Sequence, residues 1–142
     1  MDRSGMAAYV RGIGSGVVSS LGPGGAPQAA YLDIAATDDG ELVFNARVDS
    51  RKIANIARDG RVAVVIGGAD GTTLQCEGSA ALAAGEDLAR CAAAYEAAFP
   101  GFVASRPGDG VMLVRVALDW ARYRDYRDRE PVSVDVDLGQ LR

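Results

Sequence analysis

The sequence predicts a β-rich, α+β fold: an antiparallel barrel or sandwich with two short helices set into it. Strand-like segments follow one another through turn signals instead of alternating with helices, which argues against a parallel doubly wound sheet. Eighteen of the 142 residues are glycine, many of them beside Asp or Pro, as expected of a chain with many tight turns. Only two segments carry a strong helical repeat. The whole of 1–142 fits one domain, and a domain of this length buries roughly two thirds of its unfolded surface without needing a disulfide or a metal.

The elements follow in order. Met6 to Val10 reads as a short helical turn, and Gly12-Ile13-Gly14-Ser15-Gly16 as a flexible lead-in, since its glycines precede a strand and lack the dinucleotide-binding spacing. Gly16 to Leu21 is a first strand, Gly22 to Pro27 a turn, and Gln28 to Ala35 a second strand. Thr37-Asp38-Asp39-Gly40 is a hairpin turn leading to a third strand, Glu41 to Ala46. Asp49-Ser50 supplies two consecutive helix caps, and Ile53, Ile56 and Ala57 lie on one face of the short helix behind them. Arg61 to Ile66 is a continuous apolar run, read as a buried strand, and Gly67 to Gly71 turns it into a long strand, Thr72 to Leu82. The second helix begins with Glu86 and Asp87, where acids suit the helix dipole. It carries Leu88, Cys91, Tyr95 and Phe99 on one face and ends at Pro100-Gly101. Val111 to Leu118 is an apolar strand continued by Trp120 to Tyr126. Val132, Val134, Val136 and Leu138 then alternate with polar residues as a half-buried strand.

Composition narrows the chemistry. The chain has no histidine, so histidine general bases, Ser-His-Asp triads and histidine ligation of zinc or haem are all excluded. A net charge of -4 gives no bulk attraction to nucleic acid or to an anionic membrane. No apolar run approaches the roughly 20 residues of a membrane span, and the polar start is followed by no signal-peptide core, so the expected location is the cytoplasm. Cys76 and Cys91 form neither a disulfide framework nor a metal cluster; Cys91 reads as packing on the second helix, and no histidine is present to activate either thiol.

Ser50-Arg51-Lys52 is the main candidate site. A helix start offers unpaired N–H groups and partial positive charge. Ser50 adds a hydroxyl, Arg51 a two-pronged phosphate grip and Lys52 a point charge. Two cations in a first turn oppose the dipole, which points to a negative ligand nearby. The same residues also fit a capped surface helix with two solvated cations, and local chemistry leaves both readings open. The arginine-rich run from Arg122 to Glu130 is interleaved with Asp125 and Asp128 and reads as a self-neutralised strand end. Trp120, Tyr123 and Tyr126 read as core or interface.

From Pro27 to about Leu82, the chain resembles the pyridoxamine 5'-phosphate oxidase-like family of FMN-binding split barrels. The residues that carry the resemblance are the Gly40 turn and the strand Glu41 to Ala46, with Ser50-Arg51-Lys52 opening a helix. Asp59-Gly60-Arg61-Val62 and the strand from Leu74 to Ala80 follow, and Val114 to Tyr123 is similar to the family's closing strand. The resemblance implies a six- to seven-stranded antiparallel split β-barrel with two short helices. It implies a homodimer with flavin mononucleotide (FMN) in a groove at the subunit interface, and a small-molecule substrate. Arg51 and Lys52 would hold the phosphate with Ser50 in support. Asn45 and Ala46 would lie beside the cofactor, Thr73 and Gln75 would face the flavin ring, and the backbone around Ala30 and Tyr31 would run along it. Trp120 or Arg124 would close the far side. The family's Arg-x-His near the carboxy terminus has no counterpart here, so the expected substrate is not pyridoxamine phosphate itself. The deazaflavin F420 is the alternative cofactor, and a non-enzymatic ligand-binding dimer the alternative role.

Overall fold

The computed structural model describes residues 1–102 and 110–139. Its elements are α1 (Arg3–Ile13), β1 (Ser15–Leu21), a 3-10 turn (Pro23–Gly25), β2 (Pro27–Asp33), β3 (Ala35–Ala36), β4 (Leu42–Arg47), α2 (Arg51–Arg58), β5 (Arg61–Gly67), β6 (Thr72–Leu82), α3 (Gly85–Ala98), β7 (Val111–Asp125) and β8 (Val132–Asp135). The strands form one antiparallel sheet in the order β2-β1-β5-β6-β7-β4-β3, with β8 added to β7. The sheet curls into a split barrel. Its two ends, β2 and β3, are consecutive in the chain but not paired, which leaves a free edge along β2.

The long strand β7 makes the curl possible. Its first half pairs with β4 (Val114 opposite Phe44) and its second half with β8 (Tyr123 opposite Val134), while β6 runs beside both halves. The bend falls at a bulge between Glu77 and Gly78. A Cβ on Gly78 would stand 2.2 Å from the Ala117 carbonyl oxygen, so only glycine lets the two strands approach this closely.

Side chains from alternate strand positions meet inside the barrel: Val18, Phe44, Val64, Ile66, Leu74, Val114 and Val116. Met6 and Val10 of α1 close one part of it, and Ile53 and Ile56 of α2 another. A second cluster of Ala35, Val43, Cys91, Tyr95 and Leu113 lies under α3.

The predicted antiparallel strands are present, including the hairpin at Gly40, which adopts a positive φ of 80°. Among the described residues the curled sheet runs through seven strands, as expected, with β8 added at its side, and the predicted second strand breaks at Ile34 into β2 and β3. Three α-helices appear among the described residues instead of two. The predicted turn at Met6–Val10 is a full helix, capped by the Asp2 carboxylate accepting from Gly5 N–H at 2.8 Å. It ends at Gly14 in the left-handed conformation. Gly12 therefore belongs to the helix and not to a flexible lead-in. Burial of Met6, Ala7 and Val10 outweighs the poor helix propensity of Gly5 and Gly12.

Two further expectations change. Strand β5 is buried on one face only: Val62, Val64 and Ile66 point in, while Ala63 and Val65 point out. Strand β8 is exposed throughout, and of its predicted apolar face Val136, just beyond the strand, is the residue that becomes buried. No described helix is long and apolar enough to cross a membrane.

Candidate functional site

The start of α2 sits against the inner side of β1 and β2. Ser50 is its N-cap and accepts from Ile53 N–H at 3.4 Å. Arg51 and Lys52, immediately behind it, close a cavity of about 100 Å³ whose other walls are Ser20, Gln28, Ala29 and Ala30. Neither cation forms a salt bridge among the described residues, although most of the other described arginines do. Two unspent cations, unpaired helix N–H groups and a small polar recess make a site suited to a compact anion.

Alternation along the strands sorts the other candidates. Ala30 is on the inner side of β2 and lines the cavity, whereas the Tyr31 side chain points to the outer face, 72% exposed, and donates to Ser15 Oγ at 2.7 Å. Gln75 lies opposite Val65, Val65 opposite Val17, and Val17 opposite Tyr31, so Gln75 and Tyr31 belong to one row across the outer face. Thr73 lies two residues along on the same face, opposite Arg124. Asn45 and Ala46 diverge as well. Ala46 is buried in the barrel core, while Asn45 donates from Nδ2 to Tyr95 Oη at 3.1 Å on the α3 side. Burial, followed by the nearby Asp33 charge, raises the Tyr95 hydroxyl above its ordinary pKa.

Within one chain, therefore, Ala30, Ser50, Arg51 and Lys52 gather around the α2 start. Tyr31, Thr73 and Gln75 gather on the outer sheet face. That outer face is apolar at Val17 and Val65 and carries Trp120, over whose ring the Arg122 guanidinium lies at 5.1 Å. Arg124 Nε, beside Thr73, is buried without a hydrogen-bond partner among the described residues.

Sequence reasoning missed Ser20, Gln28 and Asn55. Asn55 is 2% exposed and donates to Ser20 Oγ at 3.0 Å and to Gln28 Oε1 at 2.9 Å. Ser20 shares its parity with buried Val18 on β1, and Asn55 falls between Ile53 and Ile56 on the inward helix face, which were the signals available.

Neither cysteine is suited to nucleophilic chemistry. Burial pushes the Cys76 thiol up to about 12, and burial also raises Cys91. Among the described residues no cluster of three or more Cys, Asp or Glu side chains could hold a metal ion.

The sequence model of the family described as pyridoxamine 5'-phosphate oxidase matches residues 5–125. No curated protein sequence matches the chain. Among solved structures, it is similar to a conserved hypothetical protein from Mycobacterium tuberculosis, with 22% identity, a TM-score of 0.73, and coverage of 89% of this chain and 86% of that one. It is similar to a pyridoxamine 5'-phosphate oxidase-related, FMN-binding protein from Nostoc punctiforme, with 15% identity, a TM-score of 0.64, and coverage of 95% and 92%. A haem-binding protein from Mycobacterium smegmatis matches with 16% identity, a TM-score of 0.66, and coverage of 93% of this chain and 61% of that one. At these identities the likeness establishes the fold.

Proposed function

The chain belongs to the pyridoxamine 5'-phosphate oxidase family, and from that premise we propose that it is an FMN-binding flavoprotein, a cytoplasmic homodimer that oxidises or reduces a small molecule. The observation that carries this reading is the cavity at the α2 start, where Arg51 and Lys52 stand unspent against Ser20 and Gln28. Its donors fit the phosphate of a flavin nucleotide. Bound FMN would supply hydride or electron transfer, and the chain's own residues would bind, orient and shield it. Ser50, Arg51 and Lys52 hold the phosphate, and the free edge of β2 around Ala30 and Tyr31 offers unpaired backbone groups to the ring.

The outer face gives the reason for a second copy. Val17, Tyr31 and Val65 expose a contiguous apolar row of the kind that marks an interface. A partner docked there sets its own Thr73- and Gln75-bearing face against this one, beside the free edge of β2. The orphaned Arg124 Nε lies on the same face. The substrate is not pyridoxamine phosphate, because no histidine is present to complete that substrate's site. Haem has no histidine ligand here for the same reason.

Titrating the purified protein with FMN and, separately, with F420 tests this reading. The expected result is a saturable flavin spectral shift with FMN and a dimer in sedimentation. Binding of F420 in preference to FMN would replace the cofactor. A dimer that binds neither would leave a non-enzymatic role, and a monomer would remove the partner from the site.

A further inference from the structure

The cavity at the α2 start has a neutral wall as well as its two cations. Arg58 Nη2 donates to Asn55 Oδ1 at 3.1 Å. A guanidinium can only donate, so the Asn55 amide has its oxygen turned to Arg58 and its nitrogen turned away. That nitrogen gives its two hydrogens to Ser20 Oγ and Gln28 Oε1. An amide nitrogen accepts nothing in return. The Ser20 hydroxyl must therefore send its own hydrogen elsewhere, and Gln28, with its oxygen held by Asn55, turns its two amide hydrogens away from it. Ser20 is 2% exposed and lines the cavity beside Gln28, Arg51 and Lys52. The polar side chains of the cavity thus offer donors, and no carboxylate is among them.

We infer that Arg58 and Asn55 form a positioning relay that aims the Ser20 hydroxyl and the Gln28 amide at the ligand's phosphate, so that the cavity selects a terminal phosphate monoester. The inference rests on the proposed FMN site and deepens it. A fully ionised monoester presents three acceptor oxygens and no donor, which matches this wall. A diester has only two free oxygens and must leave the cavity, about 100 Å³ in volume, by two chains. Gly22 belongs to the same device. A Cβ there would stand 2.6 Å from Gln28 Nε2 and 2.9 Å from its Cδ, so a methyl group would push the amide aside without changing any charge.

The test compares FMN with riboflavin, which lacks the phosphate, and with inorganic phosphate. Asn55→Asp keeps the size of the side chain and its acceptor toward Arg58. It replaces the double donor by an acceptor, so the Ser20 hydrogen turns to the new carboxylate and Gln28 must swing its oxygen toward the cavity. Because the added charge itself repels anions, Ser20→Ala and Gly22→Ala test the neutral donors alone. From the usual worth of a hydrogen bond to a charged group, Ser20→Ala should weaken FMN about tenfold and Asn55→Asp about 100-fold. Riboflavin affinity should stay unchanged, and thermal stabilisation of the protein by inorganic phosphate should be lost in both. Equal losses for FMN and riboflavin, or FMN affinity unchanged in all three variants, would overturn the relay. Should Asn55→Asp fail to fold, the other two variants decide. A wild-type protein stabilised by phosphate in a Ser20-dependent way but indifferent to FMN would uphold the relay and refute the flavin reading. FMN bound equally well by all variants would do the reverse.

Discussion

Replacing Arg51 and Lys52 together by alanine is expected to weaken FMN binding by about two to three orders of magnitude while leaving the fold intact. Each cation contributes charge-assisted hydrogen bonds worth about 1.5–3 kcal/mol, and the two act on one phosphate. Their loss touches little else, because neither side chain forms a salt bridge among the described residues and both lie outside the barrel core. The Ser50 cap and the inward faces of Ile53 and Ile56 remain to hold α2 in place. Calorimetric titration of the double variant, with circular dichroism to verify folding, checks both halves of this expectation. An affinity within threefold of wild type would remove the phosphate from this helix start. Each single variant should lose less than the pair, since the remaining cation still faces the anion.

Glu41→Gln should be the most destabilising polar substitution near α3. The Glu41 side chain is almost fully buried, and its two oxygens accept from Arg90 of α3 and Arg115 of β7. Arg90 also donates to Asp87 at 2.7 Å, and Asp87 reaches toward Arg115 at 3.6 Å, so the helix is tied to the sheet through one buried carboxylate. The hydrogen bond from Arg90, with the charge of Arg115, holds the Asp87 carboxyl below its ordinary pKa. Removing the Glu41 charge leaves the two guanidinium groups with only the half-exposed Asp87 carboxylate between them. Both arginines keep some contact with water, so the cost is expected at about 2–3 kcal/mol, below the full penalty for a completely buried pair. That corresponds to a fall in melting temperature of roughly 5–10 °C for a chain of this size. Asp87→Asn, at a half-exposed position, should cost clearly less. A Glu41→Gln melt indistinguishable from wild type would show that α3 is held by its apolar cluster alone.

What was legible in the sequence was local. The Asp39-Gly40 hairpin, the Ser50 cap and the long strand from Thr72 to Leu82 each depend on a few adjacent residues, and each is found where the sequence places it. Helix α1 was understated because its glycines argue against helix, while the force that forms it is the contact of Met6 and Val10 with strands distant in the chain. The apolar run of β5 was read as buried on both faces because periodicity cannot distinguish a covered face from an apolar one that awaits a partner. The cation pair of the site was legible as an anomaly in a helix's first turn. Its neutral wall was not, since Ser20, Gln28 and Asn55 are scattered along the chain and meet only through the β1–β2 hairpin and α2. That Ala30 and Tyr31 face opposite sides was readable from strand alternation, but which of them faces the cavity depends on where α2 packs.

A crystal structure of the protein grown with FMN tests the account most directly. The account predicts phosphate density in the cavity between β1, β2 and α2, within hydrogen-bonding distance of Arg51, Lys52 and Ser20, with a second chain covering the face that carries Val17, Tyr31 and Val65. A phosphate bound elsewhere, or crystals in which that cavity stays empty at saturating FMN, would contradict it.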